Sequence, residues 1–168
     1  MAVAVHSEVF YDLDGVTVRS STIEDVEYLK DKLRQSDIDE VWASHRHTPE
    51  EALRLSLERS AMSFTIEDNG KPVGMFGVVP ETLLGNKAVI WFLSSDAIDG
   101  IKVRFLRNSK VFVLLMLKHH EFLYNYVYTE NVKSIEWLRF LGAEFGGTLN
   151  IGPDKKPFLY FYFKRTAS

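Results

Sequence analysis

Asn131-Val132-Lys133-Ser134-Ile135-Glu136-Trp137-Leu138-Arg139-Phe140-Leu141-Gly142-Ala143 is the stretch on which the reading of this 168-residue chain turns. Ile135, Trp137, Leu138 and Leu141 form an apolar stripe at helical spacing, so Ser134 to Leu141 reads as a helix. Asn131 stands just before it, where a side-chain oxygen can cap the first-turn amides. Upstream, Phe122 to Tyr128 is aromatic and β-prone, and strand alternation puts Tyr124, Tyr126 and Tyr128 on one face. The chain therefore runs from strand to helix through Asn131.

Further upstream, Lys102 to His120 carries seven successive apolar residues, Val111 to Leu117. They suit a buried helix or a strand, and their length favours a helix. Ala88 to Leu93 is a strand apolar enough to be buried on both faces. Ser63 to Glu67 and Val73 to Val79 flank Asp68-Asn69-Gly70-Lys71, in which Asn-Gly readily takes positive φ, and form a hairpin. Thr48-Pro49-Glu50-Glu51 joins an N-cap, a proline at the first helical position and a capping glutamate. Asp37 to Ser44 adds a short helical piece. Near the start, Val16 to Arg19 alternates as a strand, and Thr22 with Asp25 opens a helix through Val26, Leu29 and Leu33. Phe158 to Phe163 is the last strand. The expected order is β-α-α-β-β-β-α-β-α-β-β.

The composition, 46% hydrophobic and 13% aromatic, supplies a core for one domain over residues 1–168, with residues 1–14 expected as a flexible or extended N-terminal arm. Twenty basic and 23 acidic residues give a net charge of −3, without the concentrated positive field that a nucleic-acid backbone demands. There is no cysteine, which removes disulfides, thiolate nucleophiles and thiolate metal sites. The N-terminus lacks a basic start and an apolar signal segment, and no apolar run approaches the roughly 20 residues of a membrane span. A cytoplasmic protein, or a virion component, is expected.

The strand, long helix, strand ending at Asn131 and helix through Gly142 resemble the core of the GNAT N-acetyltransferase superfamily. The opening Val16-Thr17-Val18-Arg19 and Thr22 to Val26 is similar to a common first strand and helix of that superfamily. A narrower resemblance, to the GNAT-like internal virion proteins of short-tailed bacteriophages, rests on Trp91 to Asp96, Tyr124 to Val127 and Ile135 to Phe145. The resemblance implies a mixed α/β fold with a central, mostly antiparallel twisted sheet of six to seven strands flanked by helices. It implies acetyl-coenzyme A as cofactor and transfer of its acetyl group to an amine.

It also implies where the cofactor lies. The backbone of Phe92, Leu93 and Ser94, on a strand that splays from its neighbour, would pair with pantetheine amides, and Asn131, followed by Ser134, would hydrogen-bond the pantetheine arm. Asn131 equally suits a plain N-cap. The turn that cradles the pyrophosphate in the superfamily is glycine-rich, because side chains would keep phosphates from the amides. Here Ser94 to Arg104 holds one glycine, Gly100, with Asp96 and Asp99, while Lys102 and Arg104 could attract the diphosphate or simply form a solvated basic face with Arg107 and Lys110. The superfamily's catalytic tyrosine, seven residues after the asparagine, is replaced by Leu138. Candidate acid and base groups are therefore Tyr126, Glu81 and Glu130, each of which also reads as sheet packing or surface charge.

His45-Arg46-His47 lacks a third metal ligand, Asp12-Leu13-Asp14-Gly15 lacks the rest of a calcium loop, and no metal is expected. Two readings remain. One is an amine acetyltransferase. The other is a catalytically silent GNAT-like scaffold in a phage particle or at a host contact, which a filled cleft between the splayed strands would favour. The expected partners are a small or peptidic amine, virion proteins and a second copy of the chain.

Overall fold

The computed structural model describes residues 9–166. In chain order it has β1 (Val9–Leu13), β2 (Val16–Ser20), α1 (Ile23–Leu29), α2 (Gln35–His45), α3 (Pro49–Arg59), β3 (Met62–Asp68), β4 (Lys71–Pro80), β5 (Lys87–Ser94), α4 (Ile98–His119), β6 (Phe122–Tyr128), α5 (Val132–Leu141), β7 (Glu144–Ile151) and β8 (Lys156–Lys164). The strands form one eight-stranded sheet in the order β1-β2-β3-β4-β5-β6-β8-β7. All neighbours are antiparallel except β5 and β6, whose parallel pairing follows from the α4 crossover between them.

Most elements fall where the sequence puts them. Asn69 (φ 48°) and Gly70 (φ 80°) make the tight turn between β3 and β4. The Thr48 hydroxyl accepts from Glu51 N–H at 3.2 Å and caps α3 at Pro49. Two expectations need correction. Within the supposed arm over residues 1–14, Val9–Leu13 pairs with β2 as an edge strand, turned by Asp14 and Gly15; residues 1–8 lie outside the described residues. With that strand the sheet has eight strands, one more than the upper expectation. Val9-Phe10-Tyr11 lacks the alternation of a half-buried strand, and Val9 and Phe10 stay exposed on the edge.

The sheet separates two cores. On one face α4 and α5 bury Phe76, Phe105, Phe112, Met116, Leu123, Trp137 and Phe161; on the other α1, α2 and α3 bury Val26, Leu29, Leu53, Met75, Trp91 and Leu93. The apolar run Val111 to Leu117 is helical, with Phe112, Val113, Met116 and Leu117 inward and Val111 and Leu114 outward. A partly buried ion pair stitches the first strands to α1: Arg19 donates to both Asp25 oxygens at 2.7 and 2.8 Å, and that carboxylate also accepts from Thr22 N–H and the Thr65 hydroxyl. Burial works to raise the Asp25 pKa, but Arg19 and these donors outweigh it and hold the group below the usual range.

Gly77 marks the closest approach in the sheet. A Cβ there would meet the Met62 carbonyl at 2.5 Å and the Trp91 indole nitrogen at 3.1 Å, the latter being held by a bond to Ser60 Oγ. Gly77→Ala is expected to cost about 1–3 kcal/mol, as overpacking against backbone does. A lowered urea midpoint with unchanged slope would register it; an unchanged midpoint would contradict this packing.

Candidate functional site

β5 and β6 are paired only at Lys87↔Phe122, Ala88↔Leu123 and Val89↔Tyr124. Beyond Val89 they diverge, and Asn125 leans across to donate to the Ile90 carbonyl at 2.7 Å. The divergence leaves a cleft whose mouth lies between Ser94, at the end of β5, and Tyr128 to Ser134, where β6 turns into α5. Asn131 is the hinge of that turn: its Oδ1 accepts from Ser134 N–H at 3.4 Å, capping α5.

The mouth is filled by the start of α2. Arg34 N–H donates to the Ser94 carbonyl and Asp37 Oδ2 accepts from Ser94 N–H, both at 2.9 Å. Arg34 Nη2 reaches Ser134 Oγ at 2.8 Å, and its Nε lies 3.0 Å from Asp37 Oδ1, off-axis for a hydrogen bond. One turn on, Glu40 Oε2 accepts from Tyr128 N–H at 3.1 Å and from Asn131 Nδ2 at 3.0 Å. Arg34 and Asp37 are buried; Glu40 is half-buried as a residue, with its carboxylate turned inward. Burial pushes the Asp37 carboxyl up against the pull of Arg34 and Ser94, and burial with the neighbouring Asp37 charge pushes Glu40 up to about 7.

Below this network a cavity of about 110 Å³ remains between the sheet and α4 and α5, bounded by Phe92, Phe105, Trp137, Leu138, Asn125 and Glu40. The Phe92 and Trp137 rings meet edge-on at 4.4 Å, and Leu93 lies in the other core. Trp137 Nε1, in the cavity wall, and Ser94 Oγ are buried with no hydrogen-bond partner among the described residues.

The remaining candidate residues are dispersed. Gly100 is exposed in the first turn of α4, Lys102 follows half-buried, and Arg104 donates to the Asp14 carbonyl at 2.7 Å, tying α4 to the β1–β2 turn. Lys110 sits over the Phe140 ring at 5.1 Å. Tyr126 borders the cavity and, from there, also shares with Glu81 an open groove over the paired ends of β5 and β6, together with Tyr124, whose hydroxyl burial and then Glu81 push up. Glu130 is exposed beside the Tyr128 hydroxyl. Among the described residues no group of three or more metal-ligating side chains gathers, and no helix is long and apolar enough to cross a membrane.

Solved structures that share this fold include acetyltransferases. Spermidine N-acetyltransferase from Vibrio cholerae, in complex with CoA and spermine, is 15% identical and superposes with a TM-score of 0.66 over 90% of this chain and 96% of its own. Ard1 from Thermoplasma volcanium gives 0.70 at 17% identity, over 91% and 99%. AAC(6')-Ib in complex with ribostamycin and coenzyme A gives 0.65 at 20% identity, over 90% and 94%. The fold is that of the GNAT acetyltransferases. In sequence, the family described as bacteriophage T7 probable scaffold protein Gp13 matches residues 75–148, which span the second half of the GNAT core. No curated protein matches.

Coenzyme A is present in two of these GNAT structures, so its fit here can be tested on the groups of this chain. Both backbone groups of Ser94 and both polar side-chain atoms of Asn131 are already bonded within the protein. The amides at the start of α4 are likewise taken: Ala97 N–H by Ser95 Oγ, and Ile98, Asp99 and Gly100 N–H by the carbonyls of Ser95, Asp96 and Ala97. Asp99, paired with Lys133 at 3.4 Å, places a carboxylate where a pyrophosphate would need donors. The 110 Å³ cavity falls short of the roughly 300–1,000 Å³ of small-molecule and cofactor sites. With the start of α2 in this position, the backbone of Ser94 and the side chain of Asn131 have no bond left to give the cofactor.

The Arg34, Asp37 and Glu40 network is what reading the sequence missed. A signal was present: three ionisable residues at i, i+3 and i+6 share one face with Val41, a face that would otherwise be expected to pack.

Proposed function

We propose that this chain is a GNAT-fold assembly component of a short-tailed bacteriophage particle, its cofactor cleft closed by its own Arg34, Asp37 and Glu40. The observation that carries this reading is the pair of hydrogen bonds that ties Ser94 to Arg34 and Asp37 at the start of α2, using the backbone groups that an open cleft would offer. The match of residues 75–148 to a phage scaffold family supports the setting. One scaffold hosts unrelated functions, and here the fold serves as a rigid body rather than as a catalyst.

Acetyl transfer from acetyl-coenzyme A to an amine is the second reading. The divergence of β5 from β6 and the unpaired Trp137 Nε1 and Ser94 Oγ favour it. It requires the start of α2 to withdraw from Ser94, Asn131 and Ser134, after which acetyl-coenzyme A is the ligand the open cleft would take and Phe92, Ser94 and Asn131 the groups that would hold it.

Calorimetric titration separates the two. The closed reading expects no heat with acetyl-coenzyme A at millimolar concentration and the chain among the structural proteins of purified particles. Micromolar binding that weakens in Asn131→Ala would overturn it in favour of the enzyme.

A further inference from the structure

The connection between β4 and β5 carries at its tip two leucines with nothing around them among the described residues: Leu83 and Leu84 are 102% and 99% exposed. Scattered apolar surface residues are ordinary, but an adjacent pair at a loop tip, wholly in water, is a knob without a hole. The loop is held upright at its base, where Glu81 N–H donates to the Lys87 carbonyl at 3.0 Å, and at its neck, where Gly85 N–H reaches the Thr82 carbonyl at 3.4 Å.

A hole lies beside it on the same molecule. The groove holding Tyr126 and Glu81 has a volume of about 480 Å³ and is floored by Phe122, Tyr124, Tyr126 and Tyr160, with Thr148 and the 52% exposed Leu149 as its far wall. Its shape depends on the irregular pairing of β7 with β8 between Phe145 and Thr148. There, a Cβ on Gly146 would meet the Tyr160 ring at 2.8 Å, while Gly147 faces open space. The groove covers the paired ends of β5 and β6, away from the cleft mouth. Its rim carries one acidic and one basic group, Glu81 and Lys87, the latter 5.5 Å from the Phe122 ring.

We infer that the occupant is a second copy of this chain, docked about a two-fold axis so that each Leu83-Leu84 tip seats in the other copy's aromatic groove. An isologous contact needs a patch complementary to itself, which a knob adjoining a hole on one face provides. The rim charges suit this occupant: an axis that sets each Glu81 against the second copy's Lys87 pairs opposite charges, whereas a partner of either single charge would meet a like charge on the rim. This inference goes beyond the proposed function and does not depend on whether the cleft binds coenzyme A.

Sedimentation of the full chain from low micromolar to high micromolar concentration is expected to show a reversible monomer–dimer equilibrium. Leu83→Asp/Leu84→Asp should weaken it at least roughly a hundredfold, as loss of buried interface anchors does, with the melt unchanged at concentrations where the natural chain is monomeric, because the two leucines are fully exposed among the described residues. Gly147→Val, which fills the groove from its open side, should weaken it independently. The absence of cysteine allows a direct check. Leu84→Cys protein mixed with Thr148→Cys protein and treated with a short bis-maleimide should give mixed dimers in excess of same-variant dimers. A chain that stays monomeric throughout, a dimer unaffected by the leucine substitutions, or cross-linking without preference for the mixed pair would each overturn the inference.

Discussion

Asp37→Ala is expected to lower the melting temperature by about 10 °C. The substitution leaves the buried Arg34 guanidinium beside an empty space and Ser94 N–H without an acceptor. Removing one partner of a buried ion pair costs about 3–5 kcal/mol, because the remaining charge keeps its desolvation penalty. For a domain of this length each kcal/mol shifts the midpoint by about 2–4 °C. Asp39→Ala on the same helix is the control: Asp39 is exposed and bonds only Gln35, so the change should stay within about 0.5 kcal/mol. Equal melts for the two variants would mean that the network at the cleft mouth contributes nothing to the fold.

Glu40→Gln should remove a pH dependence that the natural chain displays. The Glu40 carboxyl keeps its proton in the folded protein up to about 7, while in the unfolded chain it releases it near the ordinary 4.5. Between these values the folded state binds more protons, so stability is fully present below about pH 4.5 and is lost as pH rises towards 7. At 1.36 kcal/mol per pH unit the loss approaches about 3 kcal/mol. The groups facing Glu40 are Asp37, which adds to the effect in the same direction, Arg34, which opposes it, and the neutral donors Asn131 and Tyr128 N–H. Glutamine carries no charge at any pH, and its Oε1 can still accept from both donors. Denaturant midpoints measured from pH 4.5 to 8 should therefore slope downward for the natural chain and much less for Glu40→Gln, with the variant the more stable above pH 7. Parallel profiles would show that Glu40 is solvated and ionised throughout.

The two predictions concern the part of the molecule least visible in the sequence. The helix after Asn131, the hairpin at Asn69-Gly70 and the long helix through Val111 to Leu117 were legible because each rests on a local rule: a cap, a positive-φ turn, a length. The strand Val9–Leu13 was hidden because an edge strand exposes residues on both faces and lacks clean alternation. The cleft network was hidden for a different reason. Arg34 meets Ser134 across a hundred positions and Glu40 meets Asn131 across ninety-one, so no window along the chain contains both partners. Charged residues on a short helix look solvated until the strands they plug are placed beside them. Tyr126 and Glu81 were singled out as chemistry-bearing groups; both line the groove over the paired ends of the strands, and Tyr126, just past the last pair, also borders the cavity at their divergence.

Asn131 has a consequence for how such chains are recognised. Its two side-chain contacts, one opening a helix and one gripping Glu40, are made wholly within the protein, and either would keep an asparagine at this point in a lineage that never met a thioester. The letter that flags membership in a catalytic superfamily is thus doubly anchored in architecture. Read by itself, this residue marks a strand-to-helix corner, and it is the seating of α2 against Ser94 that distinguishes a vacant corner from the closed one seen here.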